Sequence, residues 1–313
     1  MSEPDPSNTV ADAPRGNWVD TLLPPRWRPF AQLARLDRPI GWWLLLWPCW
    51  WSVALASGVA GRPLPDPVLL LLFLVGAVAM RGAGCTYNDI VDRHIDARVA
   101  RTRSRPLPSG RVKLREAIAF MVAEAMVGFL VLLQFDLFSV TLGIASLGVV
   151  AVYPFMKRVT GYPQLVLGLA FSWGALMGWS VVFQGLSAAP LALYVGAVAW
   201  TVGYDTIYAH QDREDDALIG LGSTARTFGE QSRPFLAVCY TLAVAAVGTA
   251  VALAHGHVFA WLGLAGFAAH LAYQVIRFDM DDGERCLTLF RSNREAGLIL
   301  FTGFVADALI RSL

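Results

Sequence analysis

Residues 67–96 read PVLLLLFLVGAVAMRGAGCTYNDIVDRHID, and the architecture follows from how that stretch changes along its length. Over 67–86 the only charged residue is Arg81. A helix rises about 1.5 Å per residue and the hydrocarbon core of a bilayer is about 30 Å thick, so about 20 such residues predict a membrane span. The run then turns acidic, as Asn88-Asp89-Ile90-Val91-Asp92-Arg93-His94-Ile95-Asp96. Asp89, Asp92 and Asp96 are spaced i, i+3 and i+7, which at about 100° per residue puts them within an arc of about 60° on one helix face. Like charges at that spacing repel, and holding them beside a bilayer is costly. A divalent cation removes both penalties.

Outward from this stretch, the length test predicts nine spans, at 39–58, 67–86, 115–134, 138–156, 163–183, 189–207, 234–254, 258–276 and 294–311. The composition agrees: 56% of the 313 residues are hydrophobic, 16% are charged and the mean hydropathy is +0.50, against about 25% charged in soluble chains. The expected fold is therefore all-α and polytopic. Residues 1–24 carry Glu3, Asp5, Asp12 and Asp20 with no apolar core, so they read as a disordered cytoplasmic tail and not as a cleavable signal. Residues 25–38 set Trp27, Phe30, Leu33 and Leu36 at helical spacing among arginines, the pattern of an interfacial amphipathic helix. Residues 39–313 form the membrane domain.

Charge placement orients the spans. The N-terminal segment and the even-to-odd connections hold 23 of the 25 basic residues, and only Arg62 and Arg311 fall on the other side. By the positive-inside rule the N-terminus is cytoplasmic and the C-terminus outside, and the expected location is a bacterial cell inner membrane. A net charge of +1 gives no field for nucleic acid. Cys49, Cys85, Cys239 and Cys286 lack metal-ligand spacing and read as small apolar residues in or near helices.

A second acidic stretch ends the sixth span, Tyr204-Asp205-Thr206-Ile207-Tyr208-Ala209-His210-Gln211-Asp212-Arg213-Glu214-Asp215-Asp216. Asp89, Asp92, His94 and Asp96 lie 116 residues before Asp205, Tyr208, His210 and Asp212, a trace of internal duplication. Two facing acidic helix ends suit two Mg²⁺ ions with a diphosphate between them, because Mg²⁺ takes oxygen ligands and is typically held by one or two carboxylates plus substrate phosphates. The flanks fit an anionic ligand: Arg98, Arg101, Arg103 and Arg105 follow the first motif, and Gly222, Ser223 and Thr224 follow the second. His94 and His210 lie about 140° from the leading carboxylate of their motifs and read as structural. A secondary transporter is the main alternative outside enzymes, but such proteins set ionisable groups near the bilayer midplane. A CDP-alcohol phosphotransferase lacks support, since its DGxxAR start is missing.

At these residues the chain resembles the UbiA superfamily of intramembrane prenyltransferases, whose marks are an NDxxDxxxD segment and a second, DxxxD, segment, here Asn88–Asp96 and Asp212–Asp216. The resemblance runs from about Arg35 onward. Arg35-Leu36-Asp37-Arg38-Pro39-Ile40-Gly41 looks like the family's first-helix signature. Tyr153-Pro154-Phe155-Met156-Lys157-Arg158, Pro163-Gln164 and Tyr204–Ala209 look like its 4-hydroxybenzoate branch.

The resemblance implies nine transmembrane helices around a central cavity open to the cytoplasmic side. It implies transfer of a polyprenyl chain from polyprenyl diphosphate to 4-hydroxybenzoate, ortho to the hydroxyl, in ubiquinone biosynthesis. Asn88, Asp92, Asp96, Asp212 and Asp216 would hold Mg²⁺, and Asn88, Arg101, Arg103, Ser223 and Thr224 would bind the diphosphate. Lys157 is a further candidate for the diphosphate, Arg158 for the acceptor carboxylate and Asp212 for polarising the phenol. Homogentisate, dihydroxynaphthoate and haem are the rival acceptors within the family. One departure stands out: where the family often has lysine before Ser-Thr, this chain has Gly222, and Arg226 is the candidate substitute.

Overall fold

A computed structural model describes residues 10, 13–14, 16–99, 102–211, 213 and 220–312. Among them the regular structure is helical: α1 (Trp18–Leu22), α2 (Arg28–Leu33), α3 (Ile40–Val59), α4 (Pro67–Asp96), α5 (Leu114–Leu132), α6 (Leu137–Met156), α7 (Pro163–Phe171), α8 (Gly174–Phe183), α9 (Ala188–Ala209), α10 (Thr224–Phe228), α11 (Ser232–Leu253), α12 (Val258–Arg277), α13 (Gly283–Arg291) and α14 (Asn293–Arg311). A helix falls on every expected span, the fifth as two pieces, α7 and α8, separated at Ser172 and Trp173. Among the described residues, six stretches are long and apolar enough to cross a membrane: Ile40–Val59, Pro67–Asp96, Leu137–Met156, Pro163–Phe183, Thr224–Leu253 and Val258–Arg277.

The helix ends follow from local chemistry. Asn17 caps α1 by accepting from the Val19 and Asp20 amides. Asp136 caps α6 through the Phe138 and Ser139 amides. Pro163 supplies the preset φ favoured at the first position of α7. Two expectations change. A short helix with Val19 fully buried lies inside the stretch expected to be a disordered tail. The interfacial helix is only six residues long, because the chain turns sharply at Arg35.

The chain packs as two compact units, one of Met1–Trp43 with Leu74–Leu132, the other of Leu44–Phe73 with Leu133–Leu313. In the first, Leu33, Leu107, Val112 and Ala117 form a buried cluster with Phe30, Ile90 and Phe120 packed on it. In the second, helices approach through glycine. A Cβ on Gly263 would meet the Gly303 Cα at 2.8 Å, and one on Gly178 would meet the Cys49 carbonyl oxygen at 2.5 Å. Lipid offers no hydrophobic drive between helices, so close backbone approach through small residues takes its place. Polar ties add to it: Trp51 Nε1 donates to the Gly297 carbonyl at 2.8 Å, and the Asp307 carboxylate accepts from the His257 and Ala260 amides at the start of α12. Large apolar side chains such as Ile118, Val122, Phe129, Leu147 and Val152 stand exposed on α5 and α6, as lipid-facing surfaces require. The four cysteines are free and buried.

Candidate active site

In the first unit, α4 continues ten residues past the predicted end of its span, so Asn88, Asp89, Asp92 and Asp96 all lie in its last helical turns. Asp89 and Asp92 have no solvent exposure and Asp96 has 6%. The one-face arrangement read from the spacing therefore points inward. Asn88 is half-buried.

What surrounds these carboxylates is cationic. The Arg35 Nη2 straddles both oxygens of Asp89, at 2.7 and 2.9 Å. The Arg105 Nη1 lies 3.3 Å from Asp89 Oδ1 and 3.0 Å from Asp96 Oδ2. Arg35 reaches this place from an unusual backbone. Its amide donates to the Gln32 carbonyl and the Leu36 amide to Ala31, the paired bonds that end a helix with a left-handed residue, a position glycine usually fills. Arg35 takes it at φ +57°, at a cost of roughly 1–2 kcal/mol for a residue with a Cβ. Its Nη1 also donates to the Gln32 carbonyl, at 2.7 Å. Beyond α4, the Thr102 hydroxyl donates to the Asp96 carbonyl at 2.9 Å and ties down the loop that carries Arg105. Arg103 is exposed in that loop, and Arg101 lies outside the described residues. Sequence reasoning favoured Arg101 and Arg103; among the described residues, Arg105 and Arg35 meet the motif.

In the second unit, α9 ends at Ala209, and Asp212 and Asp216 lie outside the described residues. Among the described side chains here, Asp205 is half-buried and Arg213 pairs with Asp281 at 3.3 Å, beside a set of rings and hydroxyls. Trp200, Tyr204 and Tyr208 follow one another at i+4 along α9. The rings of Trp200 and Tyr204 stand 4.9 Å apart, and Phe290 packs on Tyr208 at 4.6 Å. His210 is buried, with Nε2 3.0 Å from the Ser232 hydroxyl. Burial, with the charge of Arg213, pulls its pKa down to about 4, so the imidazole is neutral at pH 7.

The loop before α7 and the loop before α10 are knitted together. The Gly222 amide donates to the Lys157 carbonyl at 2.7 Å, the Thr224 amide to Gln164 Oε1 at 3.0 Å, and the Thr227 hydroxyl to the Gly161 carbonyl at 3.0 Å. The geometry also gives a reason for glycine at 222, since a Cβ there would stand 2.1 Å from the Thr160 carbonyl oxygen. Arg226, the candidate substitute, donates to the Leu221 carbonyl. Ser223 and Thr224 are both buried: Ser223 caps α10, and the Thr224 hydroxyl lies 2.7 Å from that of Thr206. Arg158 is exposed, with its guanidinium 5.9 Å from the Phe155 ring centre.

Among the described residues, no three His, Cys, Asp or Glu side chains come together as a metal site. The chemistry of the donors nonetheless fits Mg²⁺. Asn88, Asp92 and Asp96 offer only oxygen from their acceptor atoms, and this ion typically takes one or two carboxylates with substrate phosphates completing its shell.

Comparison with known proteins bears on what such a site does. The profile of the UbiA prenyltransferase family matches residues 45–301. The chain is 48% identical over 286 residues to "4-hydroxybenzoate polyprenyltransferase, mitochondrial" of Aedes aegypti, covering 90% of this chain and 64% of that protein. It is 48% identical over 289 residues to the Drosophila melanogaster protein of the same name, covering 91% and 72%. The rat protein of that name is 45% identical over 285 residues, with coverage of 91% and 76%. Among solved structures, the apo structure of a UbiA homolog from Aeropyrum pernix K1 superposes with a TM-score of 0.70 at 26% identity, covering 85% of this chain and 97% of that one. A UbiA homolog from Archaeoglobus fulgidus bound to GPP and Mg²⁺ shares the fold, with a TM-score of 0.64 at 17% identity and coverage of 91% and 99%. The bacterial inner-membrane location expected from the sequence is corrected by these relatives, which are mitochondrial proteins of eukaryotes.

Proposed function

The chain belongs to the UbiA prenyltransferase family, and from that premise we propose that it transfers a polyprenyl chain from polyprenyl diphosphate to 4-hydroxybenzoate in ubiquinone biosynthesis. The allylic C–O bond of the donor breaks, a C–C bond forms at the ring carbon ortho to the hydroxyl, and the ring proton and diphosphate leave. The observation that carries this reading is the pair of buried carboxylates, Asp92 and Asp96, at the end of a membrane helix, in a chain 45–48% identical to enzymes of that name over nine tenths of its length.

Asn88, Asp92 and Asp96, together with Asp212 and Asp216, are the proposed holders of Mg²⁺. Bound there, the metal would draw negative charge onto the departing diphosphate. The chain's own cations divide the remaining work. Arg101, Arg103 and Lys157 donate to diphosphate oxygens, while Arg158 receives the carboxylate of the acceptor. Ser223 and Thr224, buried in the turn that bonds to the Lys157 carbonyl, act by fixing that turn. Asp212 accepts a hydrogen bond from the phenol and raises electron density on the ring. The nine helical segments serve as nine transmembrane spans around a cavity that admits the prenyl tail.

The test incubates membranes carrying the chain with radiolabelled 4-hydroxybenzoate and prenyl diphosphates of several lengths. Label moving into a prenylated product supports the reading. Transfer to homogentisate or dihydroxynaphthoate with 4-hydroxybenzoate left untouched would replace the acceptor, and no transfer to any acceptor would end the proposal.

A further inference from the structure

A third acidic stretch, Asp279-Met280-Asp281-Asp282, joins α12 to α13. Its carboxylates divide their partners. Asp279 and Asp282 pair with Arg285 in the first turn of α13, each at 3.3 Å, and Asp282 also caps that helix by accepting from the Arg285 amide. Asp281 reaches out of the connection instead. Its Oδ1 lies 3.3 Å from the Arg213 Nη2, 68 residues earlier in the chain.

The stretch that presents Asp281 is fastened beside the end of α9 on both sides. Before it, the Phe278 ring meets His210 edge-on at 5.1 Å, and the Arg233 guanidinium at the start of α11 donates to the Phe278 carbonyl. After it, Phe290 of α13 packs on Tyr204 and Tyr208. Within it, the Asp281 amide donates to Asp279 Oδ1 at 3.2 Å. Asp281 therefore stands at a fixed place next to the residues that follow α9.

That place matters because of what flanks Arg213. It follows Asp212 directly and precedes Asp216 by three residues. A guanidinium on a long stem, so close in sequence to two carboxylates, is a natural partner for both, and its fork geometry suits them. Paired there, it would compete with a metal for the same oxygens. Asp281 offers the guanidinium another carboxylate, from an element that carries no part of the motif. The pair is exposed, 30% at Arg213 and 68% at Asp281, and exposed ion pairs add little to stability. Its effect falls on where the Arg213 charge sits and not on the fold.

We propose that Asp281 is a positioning residue for the second acidic motif: it draws the Arg213 guanidinium onto the α12–α13 connection and so leaves the motif's carboxylates to the metal. This rests on the reading of Asp212 and Asp216 as Mg²⁺ ligands.

The test titrates the purified, detergent-solubilised full chain with Mn²⁺ alone, reading free Mn²⁺ by electron paramagnetic resonance, with thermal unfolding in parallel. Asp281→Asn is expected to weaken Mn²⁺ binding about two- to fivefold, the scale of an exposed ion pair, with unfolding little changed, and Asp281→Glu to recover part of the loss. Arg213→Gln is expected to bind Mn²⁺ at least as tightly as the wild type, and adding Asp281→Asn to it to change nothing further. Wild-type binding by Asp281→Asn, an equal loss from Asp281→Asn with and without Arg213, or weaker binding by Arg213→Gln overturns the assignment while leaving the metal reading in place. Failure of the wild-type chain to bind Mn²⁺ overturns both.

Discussion

At the end of α4 the acidic motif is buried among guanidinium groups, whereas the described part of the motif that ends α9 meets aromatic rings and hydroxyls, with Arg213 paired to Asp281. The two stretches align at one offset, yet the aligned residues live differently. Asp89 is sealed in an ion pair and Asp205 is half-buried. His94 is exposed, and His210 is buried against Ser232 and the Phe278 ring. A repeated spacing preserves which side chains share a helix face. It does not preserve what that face packs against, because the packing is set by elements elsewhere in the chain.

The comparison breaks most sharply at the carboxylates. Asp92→Asn and Asp212→Asn should each lower kcat on the order of 10²–10³-fold or more, as loss of a preorganised transition-state contact does, with both variants folded in detergent. Near-wild-type turnover in either, with Mg²⁺ as the sole metal, would mean that only one of the two stretches serves the chemistry. A second contrast lies in the loop after the second motif. Restoring a lysine with Gly222→Lys should cost about 1–3 kcal/mol of stability, the usual range for overpacking, because the new Cβ meets the Thr160 carbonyl. A stable variant with higher turnover would show that this loop yields easily and that a cation there is the missing contact.

Arg158→Ala should raise the KM for 4-hydroxybenzoate about tenfold, the scale of one lost charge-assisted hydrogen bond, and leave the KM for the donor unchanged. Equal effects on both would move Arg158 to a general role. The smallest effect concerns His210. The folded pKa of His210 is held down to about 4, and the unfolded value is about 6.5. As pH falls through that window the unfolded chain binds the proton and the folded one does not, so stability falls with pH and levels off near 4. His210→Gln should flatten this slope in thermal unfolding. A slope that persists in His210→Gln would trace the acid sensitivity to other groups.

The long helices were legible because bilayer thickness fixes the length of an apolar run; each predicted segment holds helix to within a few residues at its start, and among the described residues six stretches meet the length and hydropathy of a span. The ten-residue extension of α4 was less plain, since its polar residues lie beyond the lipid test. The helix α13 escaped for a related reason, being only nine residues long, with Glu284, Arg285 and Arg291 among them. Of the candidate site, the shared helix face of Asp89, Asp92 and Asp96 could be read from spacing alone. The Arg35–Asp89 pair could not, because it joins residues 54 apart through a strained turn that no propensity favours. Ser223 and Thr224 looked like phosphate contacts because small hydroxyl residues often are, but a hydroxyl serves a cap or a buried pair equally well. Charge bias along the chain reports sides of a membrane and carries no information about which membrane, which is where the inner-membrane expectation failed.

The most direct test of the account follows diphosphate and product together, with purified chain in lipid, polyprenyl diphosphate and 4-hydroxybenzoate. The account predicts one diphosphate released per prenylated ring, with both signals abolished by EDTA and restored by Mg²⁺. Prenylated product formed at an undiminished rate in EDTA would contradict it.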